Sequence, residues 1–486
     1  MRDAEPTWMT YRPEEYDALL AEKVAATRAK FGDVLGDVEP EPFASSPSHF
    51  RQRARFVVAR FGDDQKLSYA LFDKGSPSLA VTQFPTASRA INELMPRLIA
   101  AVDSSPPLSD NLAAVHFLST QSDDMLVTLI YAAPLPTSWR SEAEELKRSL
   151  GLPALLGRAK GECVALDREW VDETYTLDDG RRLTYRQMEG SFSNPSAAMC
   201  ERTLSWLCAC ANEITRAEGV GDGGGGGVDD GGGGGGDGGG GGAPPALLEL
   251  YCGNGNHTVA LASCFRCVLA VEIDRRLCDA AEFNLARNGV ASTAHVLCCP
   301  SADFCRTLQR RIELAAAAAA QSGAPSAAPS SAPAAAPAAA LSAAPAAALS
   351  AAPSAAVAAD DGAAAAAAAP TVAPAAAPAP ASAATPAPAL NLRERADRWL
   401  QQAEGQLRAI LVDPPRCGLD AKTRALVATF EHVVYISCNP DALLRDLHEG
   451  GLAASHAPVK FAIFDHFPYT RHLECAVYMR RRRAST

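Results

Sequence analysis

Apolar residues recur at helical spacing through residues 13–30 (PEEYDALLAEKVAATRAK), with acids in the first turn, and this predicts an amphipathic helix. From 49 to 131 the pattern shortens to β-rich runs (HFRQRARFVVARF, KLSYALF, AAVHFLST, MLVTLIYA), interrupted by a helical stretch at 88–102. A second helix is expected at 141–150, then strands near 162–166 and 174–186 with a turn at Asp178-Asp179-Gly180. An α+β module with an antiparallel sheet fits this alternation. After residue 195 strands and helices alternate instead: LLELY, CVLAVEI, HVLCC, AILVDPP, HVVYISC and AIFDHFP, with ECAVYMR last. Nearly continuous apolar strands separated by helices indicate a mostly parallel, doubly wound sheet covered on both faces.

Composition changes the picture in two places. Of the 36 glycines, 18 lie between Gly219 and Gly242, and 12 of the 34 prolines lie between Pro325 and Pro388. Both tracts fall between elements of the strand–helix series. Flexible coil is expected for the first and mixed extended and frayed helical pieces for the second, at little cost in loop entropy. The domains are therefore expected at 1–186 and 187–486, the second interrupted at 219–245 and 314–390. The formal charge of −11 falls to about −5 once the six aspartates of the tracts are set aside. A globally basic surface is excluded, but a local basic patch is not. The 14 cysteines are unevenly spaced in a long chain without a secretory pattern, which suits reduced thiols inside a cell. Cys264 and Cys267 form a CxxC without a second pair at zinc spacing, so it reads as two structural thiols. No apolar stretch is long enough to span a membrane.

Candidate chemistry collects at the ends of the later strands. In Glu249-Leu-Tyr251-Cys-Gly253-Asn-Gly255-Asn256 a strand runs into a glycine turn and a helix, where missing side chains let a ligand approach the backbone. Thr258 stands where a dinucleotide fingerprint needs its third glycine, leaving room for a smaller cofactor such as S-adenosylmethionine. Glu272 ends CVLAVE, where a carboxylate can accept bonds from both ribose hydroxyls. Asp413-Pro414-Pro415-Arg416 fixes an extended backbone at another strand end. Cys438 closes HVVYISC in the same crevice, and Glu474 is an acid in an apolar run, where desolvation raises proton affinity and suits a base. Arg51, Arg53 and Arg55 alternate along one strand as a phosphate-facing stripe.

Together LLELYCGNGN, VDPPRCGLD, YISCNP and FPYTRHLEC, with SHFRQRARF, LLGRA and YRQMEGSF upstream, resemble the tRNA (uracil-5-)-methyltransferase family over nearly the whole chain outside the tracts. The resemblance implies a Rossmann-like methyltransferase domain behind an α+β RNA-binding domain. It implies methyl transfer from S-adenosylmethionine to C5 of uridine 54 in the T-arm of tRNA. Uracil C5 is a weak nucleophile, so addition of Cys438 at C6 would activate it and Glu474 would remove the C5 proton. Tyr251, Gly253, Asn256, Glu272 and Asp413 would line the cofactor pocket, with Asn194 standing where the family usually has glutamine. Relatives acting on ribosomal RNA carry an N-terminal iron–sulfur cysteine cluster; here the first cysteine is Cys163, so tRNA is expected, with no metal and no iron–sulfur cluster. Competing readings are an RNA cytosine-5 methyltransferase, a ribosomal-RNA uracil-5 methyltransferase and a catalytically vestigial RNA-binding chaperone. A soluble monomer is expected, in cytoplasm, plastid or mitochondrion.

Overall fold

The computed structural model describes residues 11–73, 76–191, 193–219, 244–322, 392–403 and 406–483. The expectations for the two biased tracts fall, for the greater part, outside these residues. Seventeen strands form two large sheets and one hairpin. They are β1 (Glu41–Phe43), β2 (Arg53–Phe61), β3 (Lys66–Asp73), β4 (Ser76–Val81), β5 (Leu112–Ser119), β6 (Met125–Tyr131), β7 (Ala154–Ala159) and β8 (Glu162–Ala165). Then follow β9 (Trp170–Thr176), β10 (Arg182–Met188), β11 (Ala246–Leu250), β12 (Cys267–Glu272), β13 (Ala294–Cys298), β14 (Leu407–Val412), β15 (His432–Ser437), β16 (His456–Phe464) and β17 (Glu474–Arg481).

The first sheet has the order β4-β3-β2-β5-β6-β7-β8 and is antiparallel except at β6–β7. That parallel pair exists because helix Trp139–Leu150 carries the chain back across the sheet. Trp139 lies flat on the sheet: a Cβ at Gly157 of β7 would stand 2.3 Å from its ring, so only glycine admits the indole. Helix Arg89–Asp103 covers the same face through Ile91, Leu94, Met95, Leu98 and Val102, the stripe that helical spacing produces.

The second sheet has the order β1-β16-β17-β15-β14-β11-β12-β13. From β15 to β13 all neighbours are parallel, whereas β17 runs antiparallel to both β15 and β16. Its central strands are apolar on both faces because both are covered. Leu247, Ala409 and Ile436 pack toward helix Ala197–Ala217 and the β9–β10 hairpin. Leu248, Leu250 and Ile410 pack toward Phe304, Trp399 and Leu443 on the other side.

The two cores do not part at residue 186. Phe31, Val34 and Leu35 join the second sheet's core, β1 pairs with β16, and Tyr175 and Tyr185 of the hairpin are buried there too. The first sheet is thus built from residues 53–165 alone, because the amphipathic N-terminal segment finds its apolar partner on the later sheet. The expected turn at Asp178-Asp179-Gly180 is present, with Gly180 at φ +84°.

Candidate active site at the carboxyl edge of the second sheet

Strand order reverses between β11 and β14, and ligands of such sheets bind in the crevice beyond the carboxyl ends at this point. β11 ends at Leu250. The chain then turns through Tyr251 (φ +66°), Gly253 (φ +56°) and Gly255 (φ +77°) into helix Asn256–Leu261. Positive φ lets the chain turn sharply here, while Val271 O accepts from the amides of Tyr251 and Cys252 and Cys252 O accepts from that of Gly255. Gly255 also packs closely on helix Arg275–Arg287, where an added Cβ would stand 3.1 Å from Ala281 Cβ.

A cleft of about 510 Å³ opens over this turn, lined by Asn194, Tyr251, Gly253, Asn256 and Asp413 together with Tyr175, Gln187, Cys200 and His257. Five of the six residues expected around a cofactor therefore share one cavity. The sixth, Glu272, stands at the end of β12, with Oε2 accepting from Gly253 N at 3.0 Å. Its Oε1 accepts from Ile273 N at 2.7 Å and Asp274 N at 2.8 Å. This fixes the carboxylate at the lip of the turn and leaves lone-pair capacity for a ligand's hydroxyls. Asn194 Nδ2 and Asn256 Nδ2 both donate to Cys200 Sγ, at 3.4 and 3.2 Å. The asparagine at 194 thus reaches the wall of the cleft through a thiol that helix Ala197–Ala217 supplies.

Strand pairing explains how the two candidate reacting groups meet. Ser437 of β15 lies opposite Cys475 of β17, and the strands are antiparallel, so the next step of the register sets Cys438 against Glu474. Parallel pairing of Val412 with Tyr435 brings Asp413 to the same edge. Burial pushes the Cys438 thiol up to about 11, helped by the charges of Glu474 and Asp413 and opposed by the hydrogen-bonding guanidinium of Arg416. Burial likewise raises Glu474 to about 8, with Asp413 adding to the rise and His257 opposing it. Asp413 is raised by burial against the pull of His257. Asn439 locks the backbone beside Cys438: its Nδ2 donates to Arg416 O at 2.9 Å, and its Oδ1 caps helix Pro440–Glu449. Lys23, from helix Tyr16–Lys30, ties the segment leading to Glu474 by donating to Asp465 Oδ1 at 2.7 Å and Phe467 O at 2.9 Å.

Three residues of this cluster escape a reading of the sequence. His257 is buried and sits with Nδ1 3.5 Å from Glu249 Oε1. Burial works against its charge, but Glu249, Asp413 and Glu474 together hold its proton affinity above the ordinary histidine value. Glu249 itself is 1% exposed in the middle of ALLEL. An acid inside an apolar strand is the same signal that marks Glu474, and it could have been found that way. His466 is wholly buried with Nε2 3.6 Å from Glu474 Oε1, and burial holds it neutral. Its only clue is position, near the end of AIFDHFP and one residue before the FPYTRHLEC motif that carries Glu474.

The arginines divide. Arg51 precedes β2 in a single bridge to Ala87. Arg53 turns inward and hydrogen-bonds Ser193 O at 3.0 Å, next to Asn194. Burial and the neighbouring charges of Arg55 and Arg51 bring its proton affinity down. Arg55 is exposed and lines a shallow recess with His116 and Ser191. No group of three or more His, Cys, Asp or Glu side chains suited to a metal ion occurs among the described residues, and no described helix is long and apolar enough to cross a membrane.

Comparison with known proteins adds three findings. The family model described as tRNA (Uracil-5-)-methyltransferase matches residues 15–218, 241–316 and 395–482. Proteins named tRNA/tmRNA (uracil-C(5))-methyltransferase are similar over nearly their whole length. That of Chromohalobacter salexigens is 34% identical across 97% of this chain and 96% of its own. That of Aromatoleum aromaticum is 32% identical with the same coverage. Among solved structures, the Pyrococcus abyssi tRNA (uracil-54, C5)-methyltransferase in complex with S-adenosyl-L-homocysteine superposes with a TM-score of 0.55 at 13% identity. The superposition covers 99% of this chain and 88% of that one, a likeness of fold.

Proposed function

The chain belongs to the tRNA (uracil-5-)-methyltransferase family, and on that premise we propose that it methylates C5 of uridine 54 in the T-arm of tRNA through a covalent cysteine adduct. It is an S-adenosylmethionine-dependent methyltransferase acting on uracil C5 of tRNA. The observation that supports the finer reading is the strand register that brings Cys438 toward Glu474, at the sheet edge from which Asp413 enters the glycine-turn cleft.

The cleft fits the donor chemically. Gly253 opens backbone to it, Glu272 offers carboxylate lone pairs at the lip, and Asp413, Tyr251, Asn194 and Asn256 line the wall. Bound there, the donor supplies an electrophilic methyl on a cationic sulfur. A positive charge in this acid-rich cleft also favours the ionised forms of Cys438 and Asp413.

Cys438 adds to C6 of the uracil, and the electron pair of the C5–C6 bond passes to the ring as an enolate. C5 would then take the methyl group, the donor's sulfur–methyl bond breaking to leave a neutral thioether. Glu474 removes the remaining C5 proton, the C5–C6 double bond reforms, and the C6–S bond breaks to release Cys438. A group that must accept a proton near neutrality gains from the raised affinity that burial gives Glu474. Arg416, hydrogen-bonded to Cys438, favours the thiolate before attack. On the RNA side, Arg51 and Arg55 are proposed phosphate contacts, with Arg53 supporting Ser193 beside Asn194. Extruding a base from a folded loop takes a few kcal/mol, which contacts of this kind would offset.

The test incubates protein, S-adenosylmethionine and an unmodified tRNA transcript and maps the methylated nucleosides. 5-Methyluridine at position 54 is expected, lost on replacing that uridine by cytidine and abolished in Cys438→Ala. Glu474→Gln should accumulate a denaturation-resistant protein–RNA complex, because the adduct forms but cannot resolve. Methylation surviving in Cys438→Ala, or appearing on cytosine, overturns the reading.

A further inference from the structure

Cys264 and Cys267 form a CxxC, and Cys267 begins β12. The thiol that Cys264 interacts with is Cys208 of helix Ala197–Ala217. Arg181, at the end of the β9–β10 turn, reaches into the same spot. Its Nη2 donates to Cys208 Sγ at 3.1 Å, and its Nη1 donates to Ala260 O at 3.0 Å and Ser263 Oγ at 2.5 Å. Asp179 steadies the guanidinium from outside, accepting from Nε at 2.8 Å. Cys208 is buried and donates to Ala260 O at 3.7 Å, while Cys264 is partly open to solvent. One thiol can therefore be reached and the other can only respond to it.

We propose that Cys264 is an oxidation site, a thiolate that reduces hydroperoxides and is resolved by Cys208 into an intrachain disulfide. In the first step the Cys264 sulfur attacks the peroxide oxygen and the O–O bond breaks. The departing oxygen takes a proton and leaves as water or alcohol, and Cys264 becomes a sulfenic acid. In the second step the Cys208 sulfur, giving up its proton, attacks the Cys264 sulfur. The S–O bond breaks and the hydroxyl leaves with that proton as water. Two electrons pass from the thiol pair to the peroxide, which is the oxidant the step consumes.

The surroundings suit this division of labour. The neighbouring Cys208 holds the Cys264 thiol below the ordinary cysteine value, and Arg181 and Ser263 add to this against the effect of burial. Cys278 and Cys298 also touch, but their sulfurs point to Glu272 O and Ile273 O at 3.5 and 3.8 Å. A Cys208–Cys264 bond would fasten helix Ala197–Ala217 to the turn after helix Asn256–Leu261, the two elements that bring Cys200 and Asn256 to the cleft.

The test treats the reduced full chain with one equivalent of hydrogen peroxide, blocks remaining thiols and maps the peptides. Wild type should show the Cys208–Cys264 disulfide, reversed by dithiothreitol. Cys208→Ser should carry a dimedone-trapped sulfenic acid on Cys264, and Cys264→Ser should leave Cys208 unmodified. Arg181→Gln should slow disulfide formation severalfold near pH 7, because the Cys264 thiolate loses the support of the guanidinium charge. Cys264 oxidised no faster than the exposed Cys163, or unlabelled in Cys208→Ser, overturns the proposal.

Discussion

Two buried carboxylates flank β15, and their surroundings are opposite. Asp446, on the helix that follows β15, is wholly enclosed and fully matched. It accepts from Leu419 N and Tyr435 OH, both at 2.7 Å, and from Arg424 and Arg445 at 3.1 and 2.8 Å. Glu474, on the next strand in the sheet, is nearly as buried but faces a neutral imidazole and another acid. The first carboxylate holds the Gly418–Leu419 turn onto helix Pro440–Glu449. The second, with Asp413 and Glu249 nearby, concentrates negative charge where a cationic donor and a departing proton are to be handled. Burial alone decides neither role; the partners do.

Breaking the matched acid should have the largest effect. Asp446→Ala leaves two guanidinium groups and a tyrosine hydroxyl without their acceptor and should lower stability by about 3–5 kcal/mol, read as a shift in urea midpoint. Removing the unmatched acid should do the reverse. Glu474 has its proton affinity raised on folding, so the stability linked to it is complete below the ordinary carboxylate range and is lost as pH rises through about 8. Glu474→Gln should therefore match wild type near pH 5 and exceed it by roughly 2 kcal/mol above pH 8, seen as a higher Tm, while turnover is lost. The same ionisation, together with that of Cys438, should make wild-type kcat/KM rise with pH from 6 to 9 with no falling limb. Loss of activity on passing from pH 7 to 9 in an intact protein would break the assignment of Glu474 as base. The smallest effect belongs to Glu272, already held by three backbone amides: Glu272→Gln should weaken S-adenosylmethionine binding about tenfold by calorimetry and leave the Tm nearly unchanged.

The same contrast explains what could be read from the sequence. The centres of β15 (VVYI) and β14 (AILV) are apolar because both faces are covered, and the helices between the strands carry their own caps, Asp420 and Asn439 among them. Local chemistry states these elements outright. The crevice was legible for a similar reason: glycines, a Pro-Pro pair and acids at strand ends are exceptions to the local rule, and exceptions mark sites. What stayed hidden depends on register and long-range pairing. Residues 13–30 read as a helix and Tyr16–Lys30 form one, yet nothing within them says that it packs on the later sheet. β1 is three residues long and acquires meaning only against β16. Cys200 and His466 look like ordinary core residues until the fold brings Asn194, Asn256 and Glu474 to them.

The final strand carries a consequence for biosynthesis. β17 slots between β15 and β16, and its first residue is the proposed base. Until the ribosome has delivered residues 474–481, β15 has an open flank, Lys23 has no Asp465 loop fastened to the sheet, and Cys438 has no acid across from it. A chain without residues 474–481 should thus be unable to methylate RNA, and competence should arrive only once that strand is in place.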